Sequence, residues 1–177
     1  MDFIKPEIVI EEAKLEEGML VADFGCGPGF YTILAAKALG HTGKVYAFDI
    51  RKEMLEIVRS KAKASRLLNI ETIHADLETL YGSQLKEDLL DRVIISNIIF
   101  QSDNKKGMIA ESYRILKPRG MAVVIDWEPT SKLLLKIQKD RAIDKQKMKD
   151  LFESQGFTLA KEFYAGEHHY GMVFRKP

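Results

Sequence analysis

Hydrophobic residues recur along this chain with two periods, and the period switches many times. In "PEIVIEEAKLEEG" (6–18) they fall at helical spacing, with proline early and glycine just past the end, which predicts a helix. "MLVADFG" (19–25) is a short apolar run, suited to a buried strand. "FYTILAAKALG" (30–40) returns to a helix, and "KVYAFDI" (44–50) to a strand ending in an aspartate. "KEMLEIVRSKAKA" (52–64) places Met54, Leu55 and Val58 on one helical face, and "IETIHAD" (70–76) predicts a third strand. "LETLYGSQLKEDLL" (77–90) reads as partly helical, broken at Gly82, and "RVIISNIIF" (92–100) as a fourth strand. A helix is expected in "NKKGMIAESYRILKPRG" (104–120), ending before Pro118 and turning at Gly120, followed by a fifth strand "MAVVIDW" (121–127). "DKQKMKDLFESQG" (144–156) predicts a helix with Asp144 as N-cap, and "FTLAKEFYA" and "HYGMVFRK" close the chain as an antiparallel strand pair.

Strands and helices alternate through the first 127 residues, the pattern of an α/β fold with a parallel sheet and helices on both faces. The gaps between elements are short and no repeat is visible. A single domain over residues 1–177, with a short N-terminal helix, is the expectation, and the length suits it.

The stretch "DFGCGPGF" (23–30) sets glycines at 25, 27 and 29 right behind the first strand. In a doubly wound sheet that turn lies at the carboxyl edge, where ligands bind. Glycine there lets a ligand approach the main chain, and the next helix presents its free N–H groups to the same crevice. The spacing is Gly-x-Gly-x-Gly, unlike the Gly-x-Gly-x-x-Gly of dinucleotide binders. Asp23 precedes the first glycine by two residues, and its charge would repel a phosphate but attract an ammonium group. Asp49, about 20 residues on, ends the second strand where a carboxylate accepts both hydroxyls of a ribose. Asp76, just past the third strand, can accept a hydrogen bond from an exocyclic amine such as that of adenine. An amine, a ribose and an adenine with no phosphate partner describe S-adenosylmethionine better than NAD or ATP.

Five segments, "VADFGCGPGF", "VYAFDI", "IHADLETL", "RVIISNII" and "ILKPRGMAVVIDW", resemble in order and spacing the motifs of class I S-adenosylmethionine-dependent methyltransferases. The resemblance is closest to the compact small-molecule branch that includes the ubiquinone/menaquinone biosynthesis enzymes. It implies a Rossmann-like seven-stranded sheet of order 3-2-1-4-5-7-6, with strand 7 antiparallel. It also implies S-adenosylmethionine as methyl donor and S-adenosylhomocysteine as product. Carried onto this sequence, Asp23 orients the methionine amine, directly or through water, and Gly25, Cys26, Gly27 and Gly29 line the methionine moiety. Asp49 holds the ribose, Ile50 packs on an adenine face, Asp76 and the Leu77 backbone read the adenine edge, and Ser96 and Asn97 sit near the sulfonium. Arg119 stands where the family often has the second glycine of a Lys-Pro-Gly-Gly turn.

Charge narrows the acceptor only in part. Lys plus Arg total 27 and Asp plus Glu 26, so no global pull toward nucleic acid or an acidic membrane is expected. Locally, residues 71–91 carry six acids against Lys86, and 132–149 carry seven bases against Asp140 and Asp144. The basic run lacks interleaved aromatics and reads as a solvated face; an RNA or protein methyltransferase is the alternative to a small-molecule one, and a non-catalytic partner subunit that keeps the fold is the least favoured reading, because Asp23, Asp49 and Asp76 all stand. No segment approaches a membrane span or a signal peptide, so a soluble, cytoplasmic protein is expected. Cys26 is the sole cysteine, which excludes an intrachain disulfide and a cysteine-based zinc site, and a small residue suits its tight loop. His74 reads as a packed strand residue. His168 and His169 are strand neighbours facing opposite ways, which argues against a shared metal and leaves one of them to reach the acceptor as a base. Asp126 and Trp127 end the fifth strand at the cofactor edge, and alternation turns only one of them toward an acceptor. Methyl transfer does not require a general base, so no catalytic residue is assigned. Little chain is left over for a lid: either the acceptor is small and shallowly held, or a second subunit of a homodimer completes the site.

Overall fold

The computed structural model describes residues 5–131 and 141–177, so the first half of the basic run, 132–140, lies outside the described residues. Seven strands form one sheet in the order β3-β2-β1-β4-β5-β7-β6. They are β1 (Leu20–Phe24), β2 (Lys44–Asp49), β3 (Ile70–His74), β4 (Leu90–Ser96), β5 (Leu116–Trp127), β6 (Thr158–Tyr164) and β7 (His169–Arg175). The first five pair in parallel, and β7 runs antiparallel between β5 and β6. Among the described residues, five helices pack with them: α1 (Pro6–Ala13), α2 (Phe30–Leu39), α3 (Lys52–Ala64), α4 (Lys105–Ile115) and α5 (Lys145–Glu153).

The period of two along each strand sorts its residues onto two buried faces. Val21, Val45, Ile94, Val123, Ile125 and Val173 meet Val9 and Ala13 of α1 and Ala35, Ala36 and Leu39 of α2. Leu55 and Val58 of α3 join that side against Ala47. Ala22, Phe24, Phe48, Ile95, Val124, Met172 and Phe174 face the other way, onto Met108 and Ile109 of α4 and Met148 and Phe152 of α5. No helix among the described residues is long and apolar enough to cross a membrane.

Four boundaries differ from the sequence reading. α1 stops at Ala13, because Lys14 turns left-handed at φ 47°. Residues 77–89 form turns and no helix, with positive φ at Tyr81, Gln84 and Asp88. That segment is organised from outside: Glu111 of α4 accepts the N–H groups of Tyr81 (3.2 Å) and Ser83 (3.1 Å) and the Ser83 hydroxyl. β4 ends at Ser96, because Asn97 adopts φ 56°. β5 starts early, at Leu116, and its pairing with β4 jumps from Leu90↔Leu116 to Arg92↔Met121. The extruded residues include Arg119 at φ 68°, a backbone conformation that explains why glycine is the common choice there. Their loop is tied to the C-terminus by Arg119 N–H to Lys176 O (2.9 Å) and Lys176 N–H to Gly120 O (2.9 Å). The Asp144 cap is present, its carboxylate accepting Lys147 N–H at 2.8 Å.

Candidate active site

The glycine turn connects β1 to α2 at the carboxyl edge of the sheet, and it is pinned to β2. Cys26 N–H donates to Phe48 O (2.7 Å) and Gly27 N–H to Asp49 Oδ2 (2.9 Å). A Cβ added at Gly25 would stand 2.5 Å from Ile98 Cγ2, and one at Gly29 would stand 2.8 Å from Val58 Cγ2. At Gly27 it would meet nothing within 4 Å. Two of the glycines therefore make room for protein side chains, and Gly27 alone faces open space.

Two cavities meet at this turn, sharing Gly25. The first, about 310 Å³, lies along the ends of β2 and β3. Of the expected residues it brings together Gly25, Asp49, Ile50, Asp76 and Leu77, and adds Arg51, Glu78, Ile98, Gln101, Ser102 and Met108. Asp49 is buried, and its Oδ1 accepts Arg51 N–H at 2.9 Å and Arg51 Nε–H at 3.3 Å. Ile50 next to it is 62% exposed, an apolar side chain left uncovered at the cavity edge. Asp76 is exposed, and its Oδ1 accepts Glu78 N–H at 3.0 Å, which turns the chain back toward the cavity.

The second cavity, about 570 Å³, is lined by Gly25, Cys26, Gly27, Ser96 and Asn97 from the expected set, and by Pro6, Pro28, Phe30, Tyr31, Trp127 and His169. Among the described residues no Asp, Glu, Lys or Arg lines it. Ser96 Oγ donates to the Tyr31 hydroxyl (3.3 Å), and Asn97 N–H to Ile125 O (2.9 Å), while the buried Asn97 Oδ1 has no protein partner. Burial pushes the Cys26 thiol far above its ordinary range, and Asp23 and Asp49 add to that, so a thiolate nucleophile is not supported.

Asp23 and Gly29, also expected, line neither cavity. Asp23 is 1% exposed and accepts the Thr32 hydroxyl at 2.5 Å, anchoring the first turn of α2 beneath the glycines. Burial pushes its carboxyl up to about 6, against the pull of Thr32. The two ends of β5 and β7 resolve the Asp126–Trp127 alternative. Trp127 is on the α1/α2 side and lines the second cavity. Asp126 points to the opposite face, where it is buried and accepts Trp127 N–H (2.8 Å) and Phe100 N–H (3.1 Å). Burial pushes Asp126 up to about 7 despite these bonds. Its work is to hold the loop after β4, whose Ile98 and Gln101 wall the first cavity. His74 is exposed, not packed, and its Nε2 lies 2.9 Å from Ile50 O.

The fold and this edge have close counterparts. A family model described as a methyltransferase domain matches residues 15–156. The chain belongs to that family. A solved S-adenosylmethionine-dependent methyltransferase from Aquifex aeolicus superposes with a TM-score of 0.87 over 99% of this chain and 91% of that one, at 24% identity. A demethylmenaquinone methyltransferase of Staphylococcus saprophyticus is 29% identical over 182 residues, 86% of this chain and 76% of that enzyme. The demethylmenaquinone methyltransferase of a Geobacillus strain is 28% identical over 120 residues, and there the match spans 50% of the relative's length. This methyltransferase domain is of class I, with S-adenosylmethionine as its cosubstrate.

Sequence reasoning assigned no role to Arg51, Tyr31 or the loop residues Ile98, Gln101 and Ser102, all of which line the methyltransferase's cavities. Arg51 and Tyr31 each adjoin a motif and carry a local signal of position. The loop carries none, since its place depends on the Asp126 carboxylate reaching Phe100 from another strand.

Proposed function

We propose that the first cavity receives the adenosine part of S-adenosylmethionine, and that the second receives its methionyl part together with a small, uncharged acceptor. The observation that carries this reading is the junction at Gly25, with carboxylates on one side of it and a lining free of charged side chains on the other. The residues fit the cosubstrate. Asp49 Oδ2 uses one lone pair on Gly27, and the long Oδ1 contact to the largely exposed Arg51 side chain can yield, so the carboxylate has capacity for a ribose diol. Ile50 offers an adenine face an apolar surface, and Asp76 with Leu77 borders its edge. The Gly27 backbone lets the methionyl chain pass close, and the orphaned Asn97 Oδ1 awaits a donor. Asp23 acts from beneath, through the turn it anchors and through its charge, on the amine.

S-adenosylmethionine supplies a methyl group already activated by the sulfonium. What this chain's residues contribute is alignment and the exclusion of water around the acceptor, and alignment alone accounts for a large part of such rate enhancements. A small acceptor fits better than RNA, because three of the four described bases of the basic run, Arg141, Lys145 and Lys149, are engaged in ion pairs. Lys145 Nζ lies 3.4 Å from Glu128 Oε1, and Lys149 Nζ lies 3.9 Å from Glu153 Oε1. Calorimetric titration with S-adenosylhomocysteine, followed by transfer from labelled S-adenosylmethionine into separate small-metabolite, RNA and protein pools, tests this. Saturable binding with label in the metabolite pool is expected. Label confined to RNA or protein would overturn the acceptor class.

A further inference from the structure

We infer that His169 is the group that engages the acceptor: its imidazole accepts a hydrogen bond from an O–H or N–H of an uncharged acceptor lying against Trp127, and receives that proton during transfer. This rests on the reading of the second cavity as the acceptor side.

His169 opens β7, and the antiparallel register sets it directly across from Trp127 of β5. The two rings contact at 4.1 Å between centroids with an interplanar angle of 39°, which fixes the imidazole plane. His169 is only 5% exposed, it lines the second cavity, and neither Nδ1 nor Nε2 has a hydrogen-bond partner among the described residues. Buried polar atoms are almost always paired, so two orphaned nitrogens on one cavity-lining ring point to a ligand that pairs them. The adjacent His168 is the contrast. Turned the other way, its Nδ1 lies 3.2 Å from the Ser131 hydroxyl and its Nε2 3.9 Å from Glu167.

The state of the ring follows from its surroundings. Its titratable neighbours are His168 and Glu167 on its own turn, Tyr31 from α2 and Cys26 from the glycine turn; α1 contributes Pro6 and β5 contributes Trp127. Among the described residues no carboxylate lines the cavity to favour an imidazolium. Burial, and then the His168 charge, push His169 down to about 4, so it stands neutral at working pH, with one nitrogen to accept and the other to donate. In the step itself, a lone pair of the acceptor atom forms the new bond to the methyl carbon as the carbon–sulfur bond breaks, its electron pair staying on sulfur. The sulfonium charge is thereby cancelled, the acceptor's proton passes to the free nitrogen of His169, and the imidazolium returns it to solvent.

Trp127 is the only tryptophan of the chain, so its fluorescence reports this cavity directly. With S-adenosylhomocysteine present, the emission is titrated with 4-ethylphenol and with its methyl ether 4-ethylanisole, as uncharged probes with and without the proton. The phenol should bind about tenfold more tightly than the ether, the value of one buried hydrogen bond. His169→Phe should abolish that preference, and His169→Gln, which keeps an acceptor, should restore part of it. Equal binding of the two probes to the wild type, no response to the phenol, or a preference that survives His169→Phe would overturn the assignment. The probe comparison on the wild type needs no variant to fold. Calorimetry on the same sample separates the two levels. Failure to bind S-adenosylhomocysteine would sink the cofactor reading and this inference with it, whereas normal binding with indifferent probes would sink His169 alone.

Discussion

Gly25, Gly27 and Gly29 all sit at positive φ, yet a side chain would collide with the protein at the first and third and with nothing at the second. That difference is measurable. Gly27→Ala should keep the fold, losing about 1 kcal/mol to its left-handed backbone, while S-adenosylhomocysteine binding falls by an order of magnitude or more. Gly25→Ala should instead lose more stability than Gly27→Ala, because Ile98 must move. Urea denaturation paired with calorimetry distinguishes the two, and normal cofactor affinity in Gly27→Ala would move the cradle elsewhere. At Asp49 the expected loss on substitution by alanine is about 1.5–3 kcal/mol of binding, the worth of hydrogen bonds to a charged group. Unchanged affinity in the folded variant would remove Asp49 from the ribose.

Among the elements, α4 does more than cover the sheet. Glu111 is fully buried on it, joined to Arg114 Nη2 at 2.6 Å, and it receives the backbone of the 81–83 turn. Burial pushes its carboxyl up, but the bonds from Arg114 and Ser83 outweigh that and bring it below its ordinary value. A lowered carboxyl gives stability that is present above the unfolded value and lost as pH falls. Removing the acid strands a nearly buried guanidinium and two backbone donors, so Glu111→Ala should cost about 3–5 kcal/mol in urea denaturation. It should also weaken cofactor binding, since the loosened segment begins at Asp76 and Leu77. A variant within about 1 kcal/mol of wild type would show that the segment is held by its packing alone.

For the molecule as a whole, buried titratable groups set an unusual dependence on pH. Asp23 at about 6 and Asp126 at about 7 are both raised from 3.8, so the native state holds their protons more tightly than the unfolded chain. Their contribution is complete below the unfolded value and disappears as pH rises through 6 and 7. His169, lowered to about 4, contributes oppositely: its share is complete above 6.5 and lost as pH falls toward 4. Above 6.5 the raised carboxylates, and near pH 8.5 the raised Cys26 thiol, all favour the native state less as pH rises, so the urea midpoint of the ligand-free protein should be lower at about pH 8.5 than at about pH 6.5. Asp126, the group at about 7, supplies most of that drop, so Asp126→Asn should shrink it, and an undiminished drop would assign it to other groups.

Much of this architecture was legible because its causes are local. The period of two in "VADFG" or "AVVIDW" and the caps around Asp144 and Gly156 act within a few residues of chain. The strand order came with the family resemblance and is the observed one. The placement of Asp49, Asp76 and Gly27 at the carboxyl edge of the sheet was readable for the same reason, since a strand end and the turn after it are neighbours in sequence as well as in space. Contacts across the chain were not readable. The 77–89 segment takes its shape from Glu111, some 30 residues away, so its local helical pattern did not decide. Alternation alone required Asp126 and Trp127 to part, but which of them met the cavity depended on the side where α1 and α2 packed. The His169–Trp127 pair exists only because β7 runs antiparallel to β5 in one register, and a shift of β7 by one residue would have turned His169 to the face opposite Trp127.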